Sequence, residues 1–218
     1  ALFGARHYQA YHFLLTLSDH VAHFGLEHHE SSDNRLGEKY LVDADLGKFK
    51  AALLPHELVH SWNGKYRRPT GLATPDFQQP MEGELLWVYE GLTTYLGLVL
   101  TARCGLWSEE TFRQKLALEA ARLDRQSGRT WRSLVDTAVA AQLLYDARSE
   151  GSAWRRSVDF YPEGALIWLE VDALIRQQSQ GHRSLDDFCK KFFGGPSGPP
   201  RVVPYTFDDV IAALNEVA

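Results

Sequence analysis

Hydrophobic and polar residues follow two different patterns along the chain, with strand-forming segments first and helical segments later. Residues 11–17 read YHFLLTL and favour a strand, whereas 25–32 read GLEHHESS and end in residues that favour turns. We therefore expect the first 47 residues to be rich in strands. Beyond about residue 105 the pattern is mainly helical.

Two helices are expected in the middle of the chain. The first covers about 51–64. Pro55 limits how early it starts, because proline lacks an N–H and is tolerated only in the first turn of a helix, and Gly64 suits its end. The stretch 67–80, RRPTGLATPDFQQP, contains three prolines and predicts a long loop. The second helix covers about 85–104 and is mostly apolar, which indicates that it is buried.

Capping residues mark further helix starts in the second half of the chain. At a helix start, a Ser or Thr side chain accepts a hydrogen bond from a backbone N–H of the first turn. In a capping box, an acidic side chain three residues later accepts a hydrogen bond from the backbone N–H of that Ser or Thr. The signals are Ser108 before 109–125, Pro162 at the start of 162–180, Ser184 with Asp187, and Thr206 with Asp209. The expected fold class is α+β and predominantly helical.

Composition and charge exclude several classes of partner. The 218 residues are 44% apolar and 23% charged, as in ordinary globular proteins. A net charge of −5 gives no reason to expect nucleic acid, and no apolar stretch approaches the roughly 20 residues that span a bilayer. Cys104 and Cys189 are too few for a disulfide framework or a thiolate zinc site, although a single disulfide between them stays open.

Residues 56–69, HELVHSWNGKYRRP, contain the pattern H-E-x-x-H. Residues four apart lie on one face of a helix, so His56 and His60 can bind one zinc ion. Glu57 lies beside them and can take a proton from water. The alternative is an ordinary amphipathic helix whose histidines belong to the core or the surface.

Three downstream glutamates are candidates for a third ligand. Glu82 and Glu84 lie at a loop–helix junction, where acids commonly favour a helix N-terminus. Glu90 is preferred, because its neighbours are nearly all apolar and a buried carboxylate needs a partner such as a metal. The alternative for Glu90 is a buried salt bridge to Arg67 or Arg68.

Two neighbours of Glu90 add to its environment. Gly91 allows another backbone to come close. Thr94 lies one turn further on and is expected to hold the Glu90 carboxylate in place.

The two motifs together resemble the glycyl aminopeptidase family, relatives of aminopeptidase N within the gluzincin metallopeptidases. In that family the H-E-x-x-H helix is followed by Trp-Asn and a basic stretch ending in Pro, and the third ligand lies in a W-x-x-E-G helix, matched by 87–91. The resemblance implies one zinc ion per chain, held by His56, His60 and Glu90. Glu57 would be the general base.

Two further stretches resemble the family and add candidate residues. GLEHHESS resembles the segment whose glutamate binds the free α-amino group of the substrate, which makes Glu27 the candidate. The stretch 157–176 resembles a Tyr-x-Lys-Gly helix start whose tyrosine donates a hydrogen bond to the developing oxyanion, a place taken by Tyr161. Glu163 stands where lysine is usual, which bears on substrate preference.

Simpler interpretations exist for these residues. On a strand, Glu27 is ordinarily just solvated, and Tyr161 is ordinarily a core aromatic. A second metal cluster, formed by DHVAH at 19–23 with His28 and His29, is a further alternative that neither spacing nor context supports.

The resemblance covers roughly residues 3–193 and implies a thermolysin-like gluzincin catalytic domain. Residues 1–218 would form this single metallopeptidase domain, with a small strand-bearing lobe and the zinc-site helices over about 1–105 and a helical lobe over about 106–218. The N-terminal β-rich domain and C-terminal PDZ domain of the family do not fit within this chain. We therefore expect an excised catalytic core.

The expected function is that of a zinc-dependent metallopeptidase, and specifically an aminopeptidase acting on peptides with a free N-terminus. The family preference would be small first residues, glycine or alanine. One alternative is a zinc endopeptidase on the same scaffold, for which Glu27 would be dispensable. Another is a non-catalytic binding domain that keeps the fold, against which the intact Glu57 argues. The sequence indicates neither compartment nor oligomeric state.

Overall fold

Three strands near the N-terminus form a small sheet. The structure, a computed structural model, describes residues 2–144 and 150–218. The strands are β1 (His12–Leu17), β2 (Gly25–Glu27) and β3 (Ser31–Leu36). β3 lies in the centre, parallel to β1 and antiparallel to β2, so that Glu27 lies opposite Ser32.

The central strand shows why this segment forms a sheet. Alternate residues of β3, namely Ser32, Asn34 and Leu36, are buried, as the two-residue period of a strand requires. Asn34 Nδ2 compensates for its burial by donating to the Leu14 carbonyl and to Ser32. The expected strands of the first 47 residues are confirmed within 12–36, whereas a helix already begins at Ala44.

Helices make up most of the remaining described chain. They are α1 (Ala44–Lys50), α2 (Leu53–His60), α3 (Thr93–Arg103), α4 (Glu109–Asp124), α5 (Leu134–Val139), α6 (Ala141–Leu144), α7 (Ser152–Arg155), α8 (Pro162–Gln178), α9 (Leu185–Phe193) and α10 (Phe207–Asn215). A second small sheet pairs β4 (Arg67–Pro69) in parallel with β5 (Val203–Tyr205). The predicted fold class, α+β and predominantly helical, is confirmed.

Capping residues start the later helices as the sequence predicts. Ser108 accepts a backbone N–H at the start of α4. Both expected capping boxes are complete, the first formed by Ser184 with Asp187 and the second by Thr206 with Asp209.

Two predicted boundaries were wrong. The helix expected over about 51–64 ends at His60, and Gly64 lies beyond it with a φ of 126°. A Cβ on Gly64 would lie 2.5 Å from the ring of Tyr89, so the absent side chain makes room for that ring. The stretch 67–80 is not loop throughout, because its first three residues form β4 and pair with β5.

The segment that carries Glu90 departs from a regular α-helix. Trp87–Leu92 form a π-helical turn that continues directly into α3. The helix expected over about 85–104 is therefore confirmed in extent, but its first turns are π-helical rather than α-helical. A π-helical turn changes the backbone hydrogen-bond pattern, and such turns often occur at functional sites.

Gly91 and Gly164 let the π-helical turn pack directly against α8. A Cβ on Gly91 would lie 2.7 Å from Gly164 Cα, and a Cβ on Gly164 would lie 2.8 Å from Gly91 Cα. The expectation that Gly91 allows a close backbone approach is confirmed. Because Tyr161 is the N-cap of α8, this contact sets its position relative to Glu90.

The main hydrophobic core lies between the π-helical turn, α3 and the last three helices. The ring of Trp168, in α8, lies 6.1 Å from that of Trp87 and 5.5 Å from that of Phe188, between centroids. Other buried members are Val59, Val88, Leu92, Leu96, Phe193 and Val210. Since burial of one large apolar side chain contributes roughly 1.5–3 kcal/mol, this core holds α2 and the Glu90 segment together.

Neither a disulfide nor a helix suited to a membrane occurs within residues 2–144 and 150–218. Cys104 is exposed and Cys189 is buried, and both are free thiols. No described helix combines the length and the apolar character needed to cross a bilayer.

Replacing Gly164 by alanine should destabilise the protein. The new methyl group would collide with backbone atoms of Gly91 and Trp87, which no side-chain rotation relieves. We expect the free energy of unfolding, measured with urea, to fall by about 1–3 kcal/mol. Gly198→Ala is the matched control, since no atom lies within 4 Å of its Cβ position. Equal stability of the two variants would contradict the close packing.

Candidate metal centre

His56 and His60 project from the same face of α2. Their Nε2 atoms lie 3.1 Å apart. His60 Nδ1 lies 2.9 Å from the carbonyl oxygen of Asn63, which can only accept, so Nδ1 carries the proton and donates it. In the neutral ring, Nε2 of His60 therefore carries the lone pair that a metal ion would bind.

Glu90 brings a carboxylate oxygen to the same point. Its Oε2 lies 3.3 Å from His56 Nε2 and 3.2 Å from His60 Nε2. With the 3.1 Å between the two nitrogens, the three atoms form a nearly equilateral triangle. Within the described part of the chain, these residues are the group whose possible ligand atoms converge as a metal site requires.

The donor set and its geometry fit zinc. Ligands about 2.0–2.1 Å from a tetrahedral ion stand about 3.3–3.4 Å apart, close to the sides of this triangle. Glu90 Oε2 is buried and accepts no hydrogen bond from the described residues, a cost that a bound cation would remove. Two imidazoles and one carboxylate leave one tetrahedral position open, as catalytic zinc sites do.

The charges around the triangle also favour a cation. Burial opposes ionisation of Glu90, but the His60 and His56 rings outweigh it and lower its pKa to about 2. Burial likewise opposes a charged His60, but the Glu90, Glu27 and Glu57 carboxylates outweigh it and raise its pKa to about 9. Three carboxylates therefore surround two imidazoles, and a divalent ion would balance their charge.

The alternatives for the third ligand do not reach the triangle. Glu82 and Glu84 are exposed and lie outside the cluster. The salt bridge from Glu90 to Arg67 or Arg68 is also not observed, since the ion pairs of Glu90 among the described residues are those with the two histidines.

Asn63 joins α2 to the π-helical turn. Its Nδ2 donates to the carbonyl oxygens of Val88 and Tyr89 and to Thr93 Oγ1, each at 3.0 Å. The prediction that Thr94 holds the Glu90 carboxylate was wrong, because Thr94 Oγ1 has no hydrogen-bond partner within residues 2–144 and 150–218. The Glu90 segment is positioned from α2 instead.

Glu57 lies beside the triangle and is 4% exposed. Burial raises its pKa, and the nearby His56 and His60 only partly oppose this. Gly25 of β2 leaves room for the carboxylate, since a Cβ there would lie 1.9 Å from Glu57 Oε1. The candidate base is thus confined between α2 and β2.

Glu27, at the end of β2, is the third carboxylate near the triangle. The Tyr89 hydroxyl donates to its Oε1 at 2.6 Å, and Lys65 Nζ lies 3.3 Å from the same oxygen. Burial raises the pKa of Glu27, but His60, Lys65 and the Tyr89 hydrogen bond together lower it below its ordinary value. Among the described residues both contacts fall on Oε1, which leaves Oε2 for a ligand.

Tyr161, at the start of α8, lines a cleft together with Gly25, His56 and Glu57, and its ring centroid lies 6.2 Å from that of His56. Glu163, which stands where the family has lysine, forms ion pairs with Arg129 at 3.3 Å and with Arg156. These two arginines balance its charge, so the reversed charge at this position is not directed into the cleft.

The two ends of β2 line different cavities. The first cavity, of about 490 Å³, is lined by Gly25, Glu57 and Tyr161, with apolar residues of α3 and α4 beyond them. The second cavity, of about 340 Å³, is lined by Glu27 and Tyr89. The candidate base therefore lines the first cavity and the candidate amine-binding carboxylate lines the second, at opposite ends of the three-residue strand β2.

The alternative second metal cluster does not form among the described residues. His23 Nε2 contacts the carbonyl oxygen of Ser18, and His28 Nδ1 contacts that of Leu26. No third ligand atom joins them in the part of the chain that the structure describes.

Sequence reasoning did not single out Gly25, Asn63, Lys65 or Tyr89. Three of these lie inside the two zinc-motif stretches, which is a signal that they belong to the site. Their roles depend on contacts between distant segments, such as the bond from Tyr89 to Glu27, 62 residues apart in sequence.

Comparison with known proteins yields one family match. The family model described as M61 glycyl aminopeptidase matches residues 50–167, which is more than half of the chain. No curated protein sequence matches this chain.

Several solved structures resemble this one, among them two that match over most of the chain. An aminopeptidase N family protein from Idiomarina loihiensis has a TM-score of 0.80 and 28% identity, over 88% of this chain and 33% of its own. Yeast LTA4 hydrolase, solved in complex with bestatin, has a TM-score of 0.57 and 17% identity, over 94% of this chain and 28% of its own, and shows the shared fold alone.

The chain thus spans about a third of the length of these relatives. The expected gluzincin fold is confirmed by both matches. Because the family match runs from just before the H-E-x-x-H helix to the first residues of α8, the chain belongs to the M61 glycyl aminopeptidase family.

Proposed function

We propose that the protein is a zinc aminopeptidase that removes the first residue from peptides with a free N-terminus. The proposal rests on the triangle formed by His56 Nε2, His60 Nε2 and Glu90 Oε2. The buried carboxylate of Glu57 beside it supplies the base that amide hydrolysis needs. We further propose that residues 1–218 act as one catalytic domain, because Tyr161 lines the same cleft as Glu57 from the helical part of the chain.

His56, His60 and Glu90 would hold a zinc ion, which would act as a Lewis acid toward the scissile carbonyl and would make water more acidic. Glu57 takes a proton from the attacking water on its carboxylate and then passes it to the leaving amine. Its confinement against Gly25 keeps the carboxylate oriented toward the cleft during both transfers.

Tyr161 is proposed to donate its hydroxyl proton in a hydrogen bond to the oxyanion that forms as water adds. Removing one donor aimed at a developing oxyanion costs about 2.7–4 kcal/mol in an unrelated hydrolase. Its position at the start of α8, near the His56 ring, supports this role.

Glu27 is proposed to bind the α-ammonium group of the substrate through Oε2. Lys65 and Tyr89 hold its other oxygen and favour the ionised form. An anion fixed near the metal limits cleavage to the first residue. Glycine and alanine fit this scheme without any side-chain contact.

Removal of Glu90 should abolish tight zinc binding. We expect about one zinc per chain in the purified protein and, in Glu90→Ala, an affinity lower by more than about 100-fold, because one of three ligands is lost. Metal analysis by mass spectrometry and competition with a chelator measure both. Glu84→Ala, at an exposed position, is the control. Zinc retained in Glu90→Ala would show that another residue is the third ligand.

Gly25→Ala should slow turnover without loss of zinc. The new methyl group would displace the Glu57 carboxylate, and misplacement by about 1 Å costs roughly 100-fold in rate. Adding Glu57→Asp, which is one methylene shorter, should recover part of kcat in this background. Leu26→Ala, at an exposed position on the same strand, is the control. An unchanged kcat in Gly25→Ala would show that β2 does not position the Glu57 carboxylate.

Acetylation of the substrate amine should abolish cleavage. We expect glycyl and alanyl anilides to be hydrolysed and their N-acetyl forms to be inert, because Oε2 of Glu27 needs a cation. Glu27→Gln should raise KM about tenfold or more, whereas Glu38→Gln, at an exposed position, should not. Equal cleavage of blocked and unblocked peptides would identify an endopeptidase instead.

A further inference from the structure

The second cavity is larger than a glycine or alanine N-terminus requires. Its volume of about 340 Å³ falls at the lower end of the roughly 300–1,000 Å³ that is typical of small-molecule sites. Much of its wall is apolar and is formed by Leu72, Met81, Leu86 and Val139. Because Glu27 lines the same cavity, a side chain next to a bound α-amine has this space to enter.

Arg68 lies in this wall without a partner among the described residues. The basic stretch 65–68 contains three cations, of which Lys65 pairs with Glu27 and Arg67 lies 4.3 Å above an aromatic ring of the core. Arg68 makes no ion pair or side-chain hydrogen bond within residues 2–144 and 150–218, and its Nε is buried. A buried guanidinium donor without an acceptor is unfavourable, so this group is suited to an anionic ligand.

We propose that the second cavity receives the side chain of the first substrate residue and that Arg68 binds a carboxylate on it. The proposal rests on the proposed aminopeptidase function, because binding of the α-amine by Glu27 directs the side chain of the first substrate residue into this cavity. The preferred substrates are then peptides that begin with glutamate or aspartate.

The charges in the cavity complement such a residue. Among the described lining residues, Glu27 and Arg68 are the charged ones, and they have opposite signs. An acidic N-terminal residue presents an ammonium group to the first and a carboxylate to the second. The planar guanidinium can bind a carboxylate through two parallel hydrogen bonds, and the apolar wall suits the methylene groups between the two charges.

The test compares substrates that differ in one charge. The glutamyl and glutaminyl anilides have nearly the same shape, so the ratio of their kcat/KM values reports the carboxylate contact. We expect a ratio of about ten or more in the unmodified protein and about one in Arg68→Met, with Arg68→Lys in between.

The ratio is measured within each variant, which makes it independent of the fraction of active protein. Arg125→Met, at an exposed position, should keep the ratio of the unmodified protein. Zinc content and thermal unfolding establish that Arg68→Met is folded. A ratio near one in the unmodified protein, or an unchanged ratio in Arg68→Met, overturns the proposal.

A binding measurement separates this proposal from the proposed function. Calorimetry with L-glutamate and L-glutamine should show tighter binding of glutamate, and Arg68→Met should remove the difference. If this holds while no peptide is cleaved, the carboxylate site stands and the aminopeptidase function fails. If glycyl and alanyl substrates are cleaved but glutamate is favoured in neither assay, the function stands and the carboxylate site is refuted.

Discussion

The amide of Asn63 is the contact on which the arrangement of the cleft depends. Its side chain donates to Val88, Tyr89 and Thr93 in the segment around Glu90, and its backbone carbonyl accepts from His60 Nδ1. One residue therefore fixes both the tautomer of an imidazole and the position of the helix that carries the third carboxylate. Each buried polar group left unpaired costs about 1–3 kcal/mol, so the two motifs are firmly coupled.

Glycines provide the space in which the functional side chains lie. Gly64 makes room for the Tyr89 ring, which in turn donates to Glu27, and Gly25 makes room for the Glu57 carboxylate. Gly91 does the same for the backbone of α8. In all three cases an added Cβ would lie under 3 Å from another atom. The arrangement of the site therefore requires glycine at these three positions, because a closely packed interior leaves no room there for an extra methyl group.

The parts of the fold that the sequence predicted are those that depend on neighbouring residues. The capping boxes at Ser184 and Thr206 are complete because each uses four consecutive positions. The expected end of α2 at Gly64 was wrong, because that glycine serves the packing of Tyr89 rather than a helix end. The strand β4 was missed, because it exists only by pairing with β5 at the other end of the chain.

The sequence by itself indicated the candidate metal ligands and the candidate base. His56, Glu57 and His60 share a helix turn, and Glu90 stands out as an acid in an apolar stretch, while the family resemblance strengthened the choice of Glu90 over Glu82 and Glu84. Only the tertiary structure decided which groups contact the other charged residues. Glu27 contacts Lys65 and Tyr89, and Glu163 contacts two arginines. Arg68 has no such partner among the described residues. The physical reason is distance along the chain. A helical turn brings together residues four positions apart, whereas the pairing of distant charges follows from the packing of the whole core.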